Sequence, residues 1–353
     1  MKASIQPFVK LISLLVALLG LSVTLVGGVG LVLLLSTLGI SLPEPTEKGA
    51  EAPKTLVETA KIQPLDDSTG MWRAPDLSEL DDMPNGDEIK YGRDLIANTS
   101  EYLGPRGKVR AMSNGMNCQN CHLKAGTAPL GNNYSAVAAN YPKVRARSGQ
   151  SEDIQKRIND CLERSLNGQT LSRDSKEMNA MVAYIAWLGK EVPKGESPKG
   201  VGLYDVPILD RAADPVRGRS VYDTQCASCH QTDGQGIANA DNSGYLYPPL
   251  WGENSYNSGA GLFRLSRFAG YVKANMPFGA SYQRPLLTDQ QAWDVAAYVN
   301  SLDRPQKDLS MDWPDKSKKP MDHPFGPFSD EFSEQQHKFG PFQPIKEAKA
   351  KFK

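Results

Sequence analysis

Two strings, CQNCH from Cys118 to His122 and CASCH from Cys226 to His230, each set a pair of thiols beside an imidazole. That order suits covalent attachment of a c-type heme: the thiols add across the vinyl groups as thioethers, and the adjacent histidine binds iron from one face. The expected attachment residues are Cys118, Cys121, Cys226 and Cys229, and the expected proximal ligands are His122 and His230. Zinc also takes Cys and His, but it needs four ligands per site, and these strings stand about a hundred residues apart, each with its own histidine. A thiol-disulfide exchange motif would need a βαβ setting that the surrounding sequence lacks.

The other face of each iron decides between electron transfer and chemistry. In KANMPFG, Met276 lies before a closing helical segment, where small cytochromes c carry their distal methionine, so it is read as the second iron's distal ligand rather than as core filling. No comparable M-P follows the first string. Met178 and Met181 fall on an apolar helical stripe, Met112 and Met116 precede the attachment string, and His323 and His337 lie in a tail where they read as surface residues. Cys161 is the remaining soft ligand, displaced from His122 by close to the offset that separates Met276 from His230.

The segment SEDIQKRINDCLERSLNG reads as a helix with Ser151 as N-cap, acidic residues in its first turn, and Asn167-Gly168 as stop. Ile154, Ile158, Leu162 and Leu166 form its apolar stripe. Arg157, Cys161 and Ser165 follow at i, i+4 and i+8 on one face, and the loop PKVRARSG just upstream adds Arg145 and Arg147. An ordinary amphipathic helix with solvated arginines and a buried cysteine has the same pattern. Beside a heme, the row acquires a use: guanidinium groups capture tetrahedral oxyanions, and they also lower a neighbouring thiol pKa.

Two copies of one plan position these residues. YGRDLIANT (Tyr91 to Thr99) and RGRSVYDT (Arg217 to Thr224) each precede a C-x-x-C-H string, and each half closes with a helical segment, Ser175 to Gly189 and Thr288 to Leu302. Thr288 is expected as an N-cap and Gly189 as a helix stop, and Glu191 to Pro207 has the Pro, Gly and charge content of a linker. The expected fold is mainly α. Two cytochrome c-like domains, 83–195 and 208–303, follow an N-terminal transmembrane helix within 1–40 and a tether over 41–82, and an irregular C-terminal extension occupies 304–353.

Forty basic and forty acidic side chains cancel, so no electrostatic bias points to nucleic acid or an acidic membrane surface. The run from Leu11 to Ile40 carries no charge and is preceded by Lys2 and Lys10. Its length suits a membrane crossing with the remainder exported, on the periplasmic side of a bacterial inner membrane. A long signal peptide cut near Gly27 to Gly30 would leave the rest in the same compartment.

In CHLKAGTAP, YPKVRARSG, RINDCLERSLNG, CASCH, NMPFG and the tail MDWPDKSKKPMDHPFGP, the chain resembles the diheme c-type thiosulfate dehydrogenases from about Met83 to about Pro344. The resemblance implies a first heme ligated by His122 and Cys161, a second by His230 and Met276, and substrate contacts from Arg147, Arg157 and Ser165. It also implies oxidation of two thiosulfate to tetrathionate, reversible as tetrathionate reduction, with electrons passed to an external acceptor such as a small cytochrome c. Some family members have a lysine before the distal methionine and exchange ligands on reduction; this chain has Asn275 there, which removes that ligand. A membrane-tethered diheme carrier with no substrate shares the hemes but leaves the Arg, Cys, Ser row without a use, and a subunit of a multi-protein sulfur-oxidising complex, where a Cys-ligated heme also occurs, is a third reading.

Overall fold

The computed structural model describes residues 70–351. The apolar run 11–40 and the tether before residue 70 lie outside the described residues, and among the described residues no helix is long and apolar enough to cross a membrane. The stretch from 70 to 82 is packed rather than extended: Leu77–Asp82 is a 3-10 helix started by an Asp76 capping box, and Leu80 is buried in the first core.

The fold is mainly helical and repeats one arrangement. In the first half, α1 (Gly86–Ala97) packs against a closing helix, and α2 (Ile154–Arg164) lies between them in sequence. The closing helix α3 (Lys176–Leu188) is capped by the Ser175 hydroxyl, which accepts from Met178 N–H, and it stops at Gly189 as expected. In the second half, α4 (Pro215–Gln225) starts with Pro215 in its first turn and with the Asp214 carboxylate accepting from Val216 and Arg217 N–H. After α5 (Leu265–Asn275), the closing helix α6 (Asp289–Ser301) begins at a capping box of Thr288 and Gln291.

Each first helix crosses its closing helix at a glycine. A Cβ on Gly92 would collide with the Ala180 carbonyl, and one on Gly218 with the Asp294 carbonyl. The crossings anchor two cores, one around Leu95, Ile96, Met178, Met181 and Tyr184, the other around Tyr222, Phe268, Trp293 and Val295. Each fully buried Leu or Met in these layers contributes about 1.5–3 kcal/mol.

Short hairpins fill the spaces between helices. β1 (Lys143–Val144) pairs antiparallel with β2 (Ser151–Glu152), and β3 (Ile237–Ala238) with β4 (Tyr245–Tyr247). The first hairpin corrects the expected start of α2. Ser151 is a strand residue paired with Val144, and Asp153 caps the helix by accepting from Lys156 N–H, so no acidic residue remains in its first turn. Ser165 is the C-cap, and the chain then turns at Asn167, where φ is 44°.

The tail also departs from its irregular reading. It forms α7 (Glu334–Phe339) and α8 (Gln343–Lys351), and Phe339, Phe342 and Ile345 are buried in the second core. His323 and His337, expected at the surface, are 8% and 1% exposed. His337 stacks on Phe328 at 3.7 Å between ring centroids, with Nδ1 2.8 Å from the Met321 carbonyl and Nε2 2.8 Å from Asp330. His323 is buried among Trp313 and Phe325.

Gly92→Val and Gly218→Val are each expected to destabilise the protein by about 3 kcal/mol or more, because a branched side chain would force the paired helices apart. Thermal unfolding of the heme-loaded protein reads this, and an unchanged midpoint for either variant would contradict the crossing geometry.

Candidate active site

The first attachment string folds as a tight turn. The Asn117 carboxamide Oδ1 accepts from Ser100 N–H at 2.8 Å, Asn120 Oδ1 accepts from Asn117 N–H at 2.7 Å, and Cys118 N–H donates to Thr99 Oγ1 at 3.0 Å. The His122 N–H then donates to the Cys118 carbonyl at 2.9 Å, bringing both thiols and the imidazole to one side. His122 Nδ1 lies 2.6 Å from the Asn132 carbonyl and its ring stacks on Tyr134 at 4.5 Å. A carbonyl can only accept, so Nδ1 carries the proton and Nε2 is left with a free lone pair.

The second string repeats this with different partners. His230 N–H donates to the Cys226 carbonyl at 2.9 Å, and His230 Nδ1 lies 2.8 Å from the Pro248 carbonyl. Met276 is the C-cap of α5, with its N–H donating to Val272 at 2.9 Å and its side chain packed against the core that also takes Cys226.

None of the five cysteines forms a disulfide. Burial pushes Cys118, Cys121 and Cys226 up to about 12. Cys161 goes the other way. Burial pushes it up as well, but the Arg157 guanidinium and then the facing His122 imidazole outweigh burial and hold the thiol at about 6. The Cys161 sulfur therefore faces the imidazole of the first string and is a thiolate at neutral pH. A thiolate opposed to an imidazole with a free lone pair, beside two unpaired thiols, is a donor set that fits a c-type heme.

The same sulfur is what holds Arg157 in its charged form, with Tyr141, Asp160 and Glu152 adding less. Arg147 is pushed down to about 10, first by burial and then by the nearby charges of Arg164 and Arg157. Among the described residues, neither the Arg147 nor the Arg157 guanidinium donates a hydrogen bond or forms an ion pair, and the Ser165 hydroxyl is likewise without a partner. Arg145 differs: it donates to the Tyr141 hydroxyl at 2.5 Å and lies 3.9 Å from Glu152. The structure thus separates two arginines with open donors from one that is structural.

Several neighbours were not singled out from the sequence. Tyr134 supports His122 by stacking, Tyr141 holds Arg145, and Arg164 at the end of α2 makes a two-point ion pair with Asp312 of the tail, both contacts at 2.8 Å. The one sequence signal for the last of these is the WPD triplet at Trp313 to Asp315, which follows Asp312 directly.

Residues 108–193 match the family described as the SoxA/TsdA cytochrome c domain, and residues 215–303 match cytochrome c. The chain is 36% identical over 239 residues to a thiosulfate dehydrogenase of Stutzerimonas stutzeri, covering 67% of this chain and 73% of that one. It is 37% identical over 235 residues to a thiosulfate dehydrogenase of Allochromatium vinosum, covering 65% and 83%. Among solved structures, the thiosulfate dehydrogenase TsdBA of Marichromatium purpuratum aligns with a TM-score of 0.62 and 30% identity over 72% of this chain. This chain spans 53% of that longer protein. The two cytochrome c domains carry two covalently attached c-type hemes, and their presence means that this part of the chain works outside the cytoplasm. With more than a third of its aligned residues identical and most of each relative covered, the chain belongs to the thiosulfate dehydrogenase family.

Proposed function

We propose that this protein oxidises two thiosulfate ions to tetrathionate at Cys161, in a catalytic domain spanning 83–195. Residues 208–303 then form the electron-transfer domain, with 304–353 as its extension. The residues that would hold the iron of the first heme are His122 and Cys161, and those that would hold the second are His230 and Met276. Attachment is through Cys118, Cys121, Cys226 and Cys229. The hemes supply a sink for two electrons, which leave to an external acceptor such as a small cytochrome c. The apolar run 11–40 tethers the protein to the periplasmic side of the inner membrane.

The observation that carries this reading is the half-buried Arg157 guanidinium, which has no protein acceptor and holds the Cys161 thiol down to about 6, together with the equally open donors of Arg147 on the upstream loop. Open donors around a desolvated thiolate call for an anion with sulfur chemistry. Arg147 and Arg157 hold the sulfonate of thiosulfate, and the Ser165 hydroxyl donates a further hydrogen bond to it. The Cys161 thiolate and the outer sulfur of thiosulfate form a sulfur-sulfur bond, releasing two electrons and leaving an S-sulfonated disulfide on the cysteine. The outer sulfur of a second thiosulfate attacks that bond, expels the Cys161 thiolate and departs as tetrathionate. No proton is taken up or released in either step, which suits a site whose charged partners are arginines.

Thiosulfate added alone to the ferric protein is expected to reduce heme, seen in the visible absorption bands, whereas a carrier without a substrate site would stay oxidised. Cys161→Gly is expected to keep both hemes and lose turnover by on the order of a thousandfold. Full turnover in that variant would refute the role given to the thiol. Because the folded-state thiol value is depressed, its contribution to stability is complete above the ordinary thiol value and is lost as pH falls through about 6. Arg157→Gln removes the main opposing charge, so the low-spin ferric EPR signal of a thiolate-ligated heme should disappear at a higher pH than in the parent protein. An unshifted titration would show that Arg157 does not hold the thiolate.

A further inference from the structure

The tail residues 312–314 contact the loop that carries Arg147. Trp313 N–H donates to the Arg147 carbonyl at 2.6 Å, and the Trp313 ring centroid lies 6.0 Å from the Arg147 guanidinium carbon. Pro314 covers Gly149 so closely that a Cβ there would sit 2.8 Å from its Cγ, and Gly149 also has φ +71°. Asp312 makes the two-point ion pair with Arg164, with the two side chains 11% and 12% exposed. Arg164 ends α2, beside Ser165 and one turn beyond Cys161. Three consecutive tail residues therefore tie the Arg147 loop to the helix that carries the thiol.

The clip holds backbone strain. Trp313 has φ 58°, a region that bulky residues rarely adopt. It is only 8% exposed, and its indole N–H is buried without a partner. Packing alone would not select a strained tryptophan with an orphaned donor. Behind it, burial and then Lys319 push His323 down to about 4, so that imidazole is neutral at neutral pH. Arg147 is thus held between an aromatic face, the Asp312 carboxylate and a cavity lined by Ser258, Arg264 and His323.

We propose that Asp312 and Trp313 are positioning residues for Arg147: the strained tail clip holds its guanidinium over the Trp313 ring so that little ordering remains when the anion binds. A free arginine side chain has many rotamers to lose on binding, and stacking on an indole removes much of that freedom before substrate arrives. The inference rests on the substrate reading above, in which Arg147 holds the sulfonate. Holding a group that contacts ground state and transition state alike affects KM more than kcat.

The test compares the heme-loaded protein with Trp313→Gly and Trp313→Phe. Glycine removes the ring while accepting the left-handed backbone, so folding is retained, and Asp312 keeps its pair with Arg164. The expected result for Trp313→Gly is a KM for thiosulfate raised about tenfold with kcat within about twofold, and return toward the parent value in Trp313→Phe. The ferric EPR signal of the first heme should not move. A second readout needs no substrate: trypsin should cut after Arg145 and Arg147 at least fivefold faster in Trp313→Gly, as mapped by mass spectrometry of the fragments. KM and cleavage both unchanged would overturn the clip, as would a loss of kcat and thermal stability that phenylalanine does not restore. If the parent protein does not oxidise thiosulfate, the substrate reading fails and the tryptic comparison alone decides the clip.

Discussion

A thiol remains ionised in a desolvated place only when a cation stands beside it, and the Arg157–Cys161 contact meets that condition. Much of the first half serves this contact. The i, i+4 spacing puts both side chains on one face of α2, while Ile158, Leu162 and Leu166 on another face bury that helix in the core. The Asp153 cap fixes where α2 begins and therefore its rotation. Cys118 and Cys121, on the neighbouring attachment turn, lack such a cation and are pushed upward by the same burial.

The two halves share a frame and differ in what is inserted into it. Helices crossing at Gly92 and Gly218, the attachment turns, and the carbonyl acceptors for His122 and His230 Nδ1 all recur. Between turn and closing helix each half carries a short hairpin and one helix, but in the first that helix is α2, with Cys161 on one face, and in the second it is α5, with Met276 as its C-cap. Under the proposed ligation, one insert brings an anionic sulfur with arginines and the other a neutral thioether. Thiolate favours ferric iron and thioether favours ferrous iron, so the inserts alone set a downhill direction for electrons from the first site to the second.

Local features were legible in the sequence and long-range ones were not. The attachment strings, the caps at Thr288 and Gly189, and the apolar stripe of α2 depend on residues close in the chain. Ser151 was misread as a cap because its pairing with Val144 in a hairpin competes with the helix, and no helical pattern reports that. His337 was misread because its partners, the Met321 carbonyl, Asp330 and Phe328, come from a segment without periodicity. The candidate site followed the same division. Arg157, Cys161 and Ser165 were readable as one helix face, but the split between open Arg147 and occupied Arg145 depends on Tyr141, Glu152 and a tail more than 160 residues downstream.

That tail joins both halves through two buried Arg–Asp pairs. Asp312 takes Arg164 at the end of α2, and Asp322 takes Arg264 at the start of α5 at 2.9 Å while its second oxygen accepts from Ser266 N–H at 3.0 Å. Asp322 is fully buried. Such pairs lose much of their Coulomb gain to desolvation, so their stabilising effect is modest beside that of apolar burial, whereas two-point geometry fixes angle and register sharply. α2 carries Cys161 and α5 ends at Met276. One stretch of tail therefore sets the orientation of the helix bearing Cys161 relative to the helix leading to Met276. Asn257 adds to this by donating to the Glu163 carbonyl at 2.8 Å and to the Asn167 carboxamide at 2.9 Å. Electron transfer between two sites is sensitive to small changes in their separation and orientation, and the buried pairs act on that geometry.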